Sequence, residues 1–154
     1  MATRLLEDDG GFDVTVLEPR TPARSLVFAA GRGGHPGRHA GLLQAFADQG
    51  FRVVAPHFDR LATPVPTREA LEDRARRLVA AVARLCPPDA PLCGVGHSLG
   101  ATLLLALGVD GRTVQQILGH SSAAMTAHYQ HVDQTMARAA LGSLGAALAL
   151  PARP

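Results

Sequence analysis

A length of 154 residues suits about one domain, and a hydrophobic fraction of 47% permits a real core, which argues against global disorder. The formal charge is only +2 and all 15 basic residues are arginine, so the electrostatic signature of a nucleic-acid-binding protein is weak. Cys86 and Cys93 are too few for a disulfide framework, and no signal peptide or membrane-spanning run is visible. We therefore expect a soluble cytoplasmic protein with buried free thiols, no metal site and no cofactor.

Apolar runs and helical spacing predict strands and helices in succession up to residue 107. The predicted strands are 12–17, 25–30, 51–56 and 92–95, and the predicted helices begin near residues 42, 66 and 101. Strands alternating with helices imply a parallel sheet with right-handed crossovers. Only helical patterns follow, at 112–118, 122–130 and 133–150. The predicted fold class is a truncated three-layer α/β sheet of about four parallel strands with an α-helical C-terminal extension.

The long helix that begins at Pro66 and Thr67 combines an apolar face with several arginines. Its apolar face includes Leu71 and Leu78. We expect the arginines to lie on and around the solvated face of this helix rather than to read DNA. These arginines are Arg74, Arg76, Arg77 and Arg84.

The fourth predicted strand runs directly into Gly96-His97-Ser98-Leu99-Gly100, which a helix follows. A Gly-x-Ser-x-Gly turn between a strand and a helix exposes the serine on a tight, strained backbone. Together with the loop Gly31–Gly34 and the segment 50–56, this pattern resembles the N-terminal half of an α/β-hydrolase of the small esterase or dienelactone-hydrolase-like kind, over residues 11–107. The resemblance implies that Ser98 is the nucleophile and that the Leu99 N–H and the Gly31–Gly34 loop hold the oxyanion.

The general base and acid of such a site would come after the serine, from strands that the sequence does not predict. The candidates that follow the elbow are Asp110, Asp133, His120, His128 and His131. A serine without a positioned base is a poor nucleophile, so we expect weak or absent hydrolase activity in the isolated chain.

Residues 108–132 carry a second pattern, in which Leu118-Gly119-His120-Ser121-Ser122 precedes Thr126 and Tyr129. This segment is similar to the C-terminal end of phage-integrase-type tyrosine recombinases. The resemblance implies that His120 binds the scissile phosphate of DNA and that Tyr129 is the nucleophile. That family also uses two arginines and a lysine, but this chain has no lysine, and His97 occupies the register position of the second arginine. The sequence His35-Pro36-Gly37-Arg38-His39 spells the family's arginine motif, but it lies too far upstream, where the hydrolase pattern places its oxyanion loop.

The two patterns overlap between residues 101 and 108, so the sequence suggests a hybrid, with a partial hydrolase domain at 1–107 and a recombinase-like segment at 108–150. Three functions stay open: a residual serine esterase, a DNA-recombination protein completed by a partner subunit, and a chain inactive at both sites. The expected partners are a small ester and DNA, without a membrane. Because the strand that ends at Val95 would be left as an open apolar edge, a second copy of the chain is a further expected partner.

Overall fold

The computed structural model describes residues 2–7 and 10–106, and the side chains of 4–6 and 10–104. Five strands, three α-helices and one short 3₁₀ helix follow one another in this part of the chain. They are β1 (Ala2–Glu7), β2 (Asp13–Glu18), β3 (Arg24–Ala29), the 3₁₀ helix (Pro36–His39), α1 (Ala40–Asp48), β4 (Phe51–Pro56), α2 (Arg68–Leu85), β5 (Leu92–Gly96) and α3 (Leu99–Ala106).

The strands form one sheet in the order β1-β2-β4-β3-β5. Strands β4, β3 and β5 are parallel neighbours, while β1 and β2 are antiparallel to their partners. The predicted α/β class is confirmed, but the sheet is mixed rather than parallel and has five strands. The sequence did not predict β1 because it lies at an edge and leaves Leu5 64% exposed, so no buried apolar run marks it.

Helices cover both faces of the sheet. Val53 of β4 belongs to a buried cluster that contains Leu43 of α1. The next residue, Val54, belongs to a second cluster with Val14 of β2 and Ala81 of α2. Because successive side chains of a strand point to opposite faces, these clusters fill the spaces on either side of β4 and produce three layers.

The register of β3 and β5 brings two loops together. Ala29, the last residue of β3, pairs with Gly96, the last residue of β5. The chain continues from these two positions into the Gly31–Gly34 loop and into the Gly96–Gly100 elbow, respectively. In parallel sheets, the crevice beyond the carboxyl ends of the strands is where ligands bind, so this end of the sheet is where a site is expected.

Strand β5 lies at the edge of the described sheet, with β3 as its paired neighbour. The predicted helices after residue 111 and the predicted segment 108–150 lie outside the described residues. Within 2–7 and 10–106, none of the helices combines the length and the apolar character needed to cross a membrane.

Candidate active site

Ser98 lies in the tight turn between β5 and α3, where its backbone adopts a left-handed conformation. Its φ of +54° makes it the one non-glycine residue with positive φ among the described residues. The turn is closed by the N–H of Gly100, which donates to the carbonyl of His97 at 3.0 Å. Left-handed backbone costs a residue with a Cβ about 1–2 kcal/mol, so the packing around Ser98 imposes this conformation.

The two outer glycines of the elbow are required by close packing. A Cβ at Gly100 would collide with the carbonyl oxygen of Ala29, at the end of β3. A Cβ at Gly96 would collide with the backbone nitrogen of Ala101. Both obstacles are backbone atoms, which cannot move aside as a flexible side chain could. Only glycine at these two positions therefore allows the elbow to pack this closely against the sheet.

The loop that follows β3 lies directly against the elbow. A Cβ added to Gly31 would lie 2.8 Å from Nδ1 of His97 and 3.2 Å from Cβ of Ser98. At the far side of the loop, Gly34 has a φ of +80° and donates its N–H to the Gly31 carbonyl at 3.0 Å. The loop is thus a tight turn whose first residue leaves no room for a side chain beside the candidate nucleophile.

Arg74 of α2 binds the backbone of this loop through hydrogen bonds from its guanidinium group. Its side chain is among the largest fully buried ones, and the residue is only 2% exposed. Its guanidinium donates to the carbonyls of Gly31 at 2.8 Å, Arg32 at 3.2 Å and Asp59 at 2.9 Å, with a longer contact to Ala30 at 3.4 Å. Burial lowers the pKa of Arg74 to about 10, so it remains charged at neutral pH.

The expectation that Arg74 lies on the solvated face of its helix is wrong. Arg74 is three residues after Leu71 and four before Leu78, which are both fully buried. Residues at these spacings share one face of a helix, so the apolar stripe itself contained the signal. Burial of the guanidinium is tolerated because backbone carbonyls satisfy it. Arg77 is also partly withdrawn from solvent, and it pairs with Asp59 and Asp73.

The orientation of the loop peptides follows from the Arg74 contacts. In a trans peptide, the N–H points away from the preceding carbonyl. Because the carbonyls of Gly31 and Arg32 face the guanidinium, the N–H groups of Arg32 and Gly33 point away from it. The loop therefore presents donors on the side opposite to α2.

A cleft of about 260 Å³ opens at Ser98. The loop, the 3₁₀ helix, the segment after β4 and the elbow contribute its walls. The lining residues are Gly31, Arg32, Gly33, Gly34, His35, Arg38, His39, Arg60, His97 and Ser98. The His35–His39 sequence thus forms a wall of this cleft, as its position in the hydrolase pattern predicts.

Histidine rings pack along the cleft. The His39 ring lies 5.0 Å from the Phe28 ring and 4.8 Å from the His97 ring, between centroids. Burial, followed by the neighbouring His97 and Arg38, lowers the pKa of His39, which favours its neutral form at pH 7. Among the described residues, no side chain hydrogen-bonds to Ser98.

His57, at the end of β4, extends this group of rings. Its centroid lies 4.5 Å from that of His35, and its Nε2 is 2.7 Å from Oγ1 of Thr15. Burial, followed by the nearby His35, lowers the pKa of His57.

In the described residues, these histidines and the cysteines form no group of three or more ligands that could hold a metal ion. Cys86 and Cys93 are free thiols, the first buried and the second partly buried.

The solved structures that share this chain's fold include an esterase and a lipase. It matches Est1E from Butyrivibrio proteoclasticus with a TM-score of 0.52 and 16% identity, over 77% of this chain and 48% of that one. It matches the propionate-bound esterase Est2 from Thermogutta terrifontis with a TM-score of 0.51 and 18% identity, over 70% and 44%. An open-form lipase gives a TM-score of 0.52 and 22% identity, over 69% and 40%.

The described residues therefore have an α/β-hydrolase-like fold. At these identities the likeness establishes the fold alone. The chain spans about half or less of the length of the structures it matches. No protein-family profile matches the chain, and no curated protein matches it.

The recombinase-like pattern has no counterpart in these comparisons, which give it no support. His120 and Tyr129 lie outside the described residues, as do Asp110 and Asp133. Of the site residues that the sequence predicts, the structure brings Ser98, Leu99 and the Gly31–Gly34 loop together. The others follow the described residues in the chain.

Proposed function

We propose that this chain is a serine hydrolase that acts on a small ester, with Ser98 as the nucleophile. The observation that carries the proposal is the left-handed backbone of Ser98, held between two glycines that cannot accept a Cβ and facing the loop at Gly31. Strain of this kind at a polar residue in a cleft is a recurring feature of catalytic sites. The likeness to esterases in fold is a second, coarser support.

In the proposed reaction, the Ser98 hydroxyl oxygen attacks the ester carbonyl carbon and forms a tetrahedral oxyanion. The Leu99 N–H, at the first turn of α3, is one proposed donor to that oxyanion. The second is the N–H of Arg32 or Gly33, which the Arg74 contacts turn away from α2. Collapse of the intermediate releases the alcohol, and water then cleaves the acyl-serine bond.

The proton of the Ser98 hydroxyl requires a base, which transfers it to the leaving alcohol. His120 is the base that we propose, on the sequence pattern alone. His39 is a second candidate because it lines the same cleft and its lowered pKa favours the neutral, proton-accepting form. Separate His120→Gln and His39→Gln variants distinguish the two, since only loss of the true base removes the rise of activity with pH.

A fluorophosphonate probe tests the nucleophile directly, because it is attacked by an activated serine and leaves a stable adduct. We expect labelling of the wild-type chain and its loss in Ser98→Ala. Ser25, the other serine in the described residues, is 2% exposed, and Ser25→Ala is the matched control that should retain labelling. Equal labelling of wild type and Ser98→Ala would disprove the proposed role of Ser98.

A further inference from the structure

The cleft at Ser98 is lined by positive charge without a compensating carboxylate. Three of its lining residues, Arg32, Arg38 and Arg60, carry guanidinium groups, and none of the lining residues is Asp or Glu. The neighbouring cleft of about 370 Å³ differs, since Asp59, Glu69 and Asp73 line it. The two clefts share Arg60, so the absence of acidic residues is a property of the Ser98 side.

The nearby carboxylates are committed to other arginines. Asp59, next to Arg60 in the chain, pairs with Arg77 at 3.2 Å, and Asp73 pairs with Arg76 and Arg77. Within the described part of the chain, Arg38 and Arg60 take part in no ion pair, whereas the arginines of α2 at 68, 76 and 77 all do. The cleft arginines therefore keep their charge available for a ligand.

Arg32 adds to this field with little competition from the protein. Its Nε makes a long contact of 3.4 Å to the Leu61 carbonyl, and the remaining guanidinium nitrogens have no partner among the described residues. Arg38 also lowers the pKa of His39, which lines the same cleft, although burial and the neighbouring His97 lower it more. All three arginines are exposed, and a cleft lined by one sign of charge concentrates ligands of the opposite sign, an effect that salt screens.

We infer that the ester bound at this site carries a carboxylate, which the guanidinium groups of Arg38 and Arg60 recognise. This inference rests on the proposed function, because it names the substrate class of the same site. Arginine suits such a role, since its planar group can donate two hydrogen bonds to one carboxylate. A neutral ester of the same length would lack this interaction and would leave the cleft charges uncompensated.

Two esters of equal acyl length test the inference: 4-nitrophenyl hemisuccinate, with a terminal carboxylate, and neutral 4-nitrophenyl butyrate. We expect kcat/KM to favour the hemisuccinate at least about tenfold at low salt, and this ratio to shrink as ionic strength rises. The double variant Arg38→Gln, Arg60→Gln should bring the ratio close to one. Arg20→Gln is the matched control, because Arg20 is exposed in the turn after β2, and it should leave the ratio unchanged.

A binding measurement keeps the inference independent of turnover. Ser98→Ala is titrated calorimetrically with N-(4-nitrophenyl)succinamic acid and with the neutral N-(4-nitrophenyl)butyramide. Tighter, salt-sensitive binding of the acid supports the inference, even if neither ester is cleaved and the proposed function fails. Cleavage of both esters at equal, salt-independent rates, or equal binding of the two amides, overturns the inference and leaves the proposed function standing.

Discussion

Nη1 of Arg74 lies 2.8 Å from the carbonyl oxygen of Gly31, so a fully buried cation in α2 anchors the loop that lies beside Ser98 in the cleft. The same guanidinium reaches the carbonyl of Asp59, after β4, at 2.9 Å. It also lies 4.9 Å from the ring centroid of Phe58. Two walls of the cleft are thus tied to one side chain, which couples the stability of the fold to the shape of the site.

Arg74→Met should lower the free energy of unfolding by roughly 3 kcal/mol, because it removes the hydrogen bonds that the buried guanidinium donates to four backbone carbonyls. Arg74→Lys should restore part of this loss, since an ammonium keeps the charge but cannot reach all of these carbonyls. Denaturant titration followed by circular dichroism measures both effects. Arg68→Met is the control: Arg68 is exposed and pairs with Glu72 on the helix surface, so its loss should change the free energy of unfolding little.

The same variants test whether Arg74 positions the loop for chemistry. At a temperature where Arg74→Lys is folded, its fluorophosphonate labelling should be slower than that of wild type, while Arg68→Met should label normally. Labelling of folded Arg74→Lys at the wild-type rate would show that Arg74 stabilises the fold without orienting the oxyanion donors.

Gly100→Ala should damage the elbow, because its Cβ would meet the Ala29 carbonyl rather than a side chain that can move. We expect a loss of about 2 kcal/mol or more in stability together with loss of probe labelling. Gly41→Ala, in α1, is the matched substitution, since a Cβ at Gly41 meets nothing within 4 Å. It should raise stability by about 0.5–1 kcal/mol through helix propensity, and thermal unfolding distinguishes the two variants.

Ser98→Gly and Ser98→Ala should both abolish labelling but differ in stability. Glycine adopts the φ of +54° without strain, whereas alanine retains the Cβ that makes this conformation costly. We expect Ser98→Gly to be about 1 kcal/mol more stable than Ser98→Ala in urea titrations. Equal stability of the two would mean that the elbow is not strained at this residue.

Stability should fall as the pH drops below the ordinary histidine pKa of 6.5. The pKa values of His39 and His57 are lowered in the folded chain, mainly by burial, so the unfolded chain binds more protons in this range. Stability is therefore full above pH 6.5 and decreases until the lowered pKa values are reached. The double variant His39→Gln, His57→Gln should flatten this decline between pH 7 and pH 5, and an unchanged decline would assign it to other groups.

We expect the recombinase-like segment, residues 108–150, to form no covalent link to DNA. With no lysine in the chain and with histidine at the register position of an arginine, we expect no covalent adduct on nicked suicide DNA. Denaturing gel analysis after incubation with labelled DNA measures this. An adduct that disappears in Tyr129→Phe would show that DNA recombination chemistry survives in this chain.

The sequence predicted the strands whose burial is continuous and the turn in which two glycines flank a serine. The apolar runs at Val53 and Val54 marked β4, and the two glycines around Ser98 marked the elbow. It missed β1, because this edge strand carries no buried apolar run, and it missed the role of Arg74, because the carbonyls that bind its guanidinium lie 15 to 44 residues away in the chain. The charge of the cleft also emerges only when Arg38 and Arg60 are brought to one wall by the fold.

The pairing of Ala29 with Gly96 has a consequence for which parts of the chain can change length. An inserted residue within β5 would move Ser98 by about 3.3 Å and turn the following side chains to the opposite face of the sheet. The segment 87–91 between α2 and β5 is mostly exposed, and extra residues there would leave the hydrogen-bond ladder of β3 and β5 in place. Insertions are thus tolerable just before β5 and not within it. The pairing register of β3 and β5 fixes where β5 ends and therefore where the nucleophile lies.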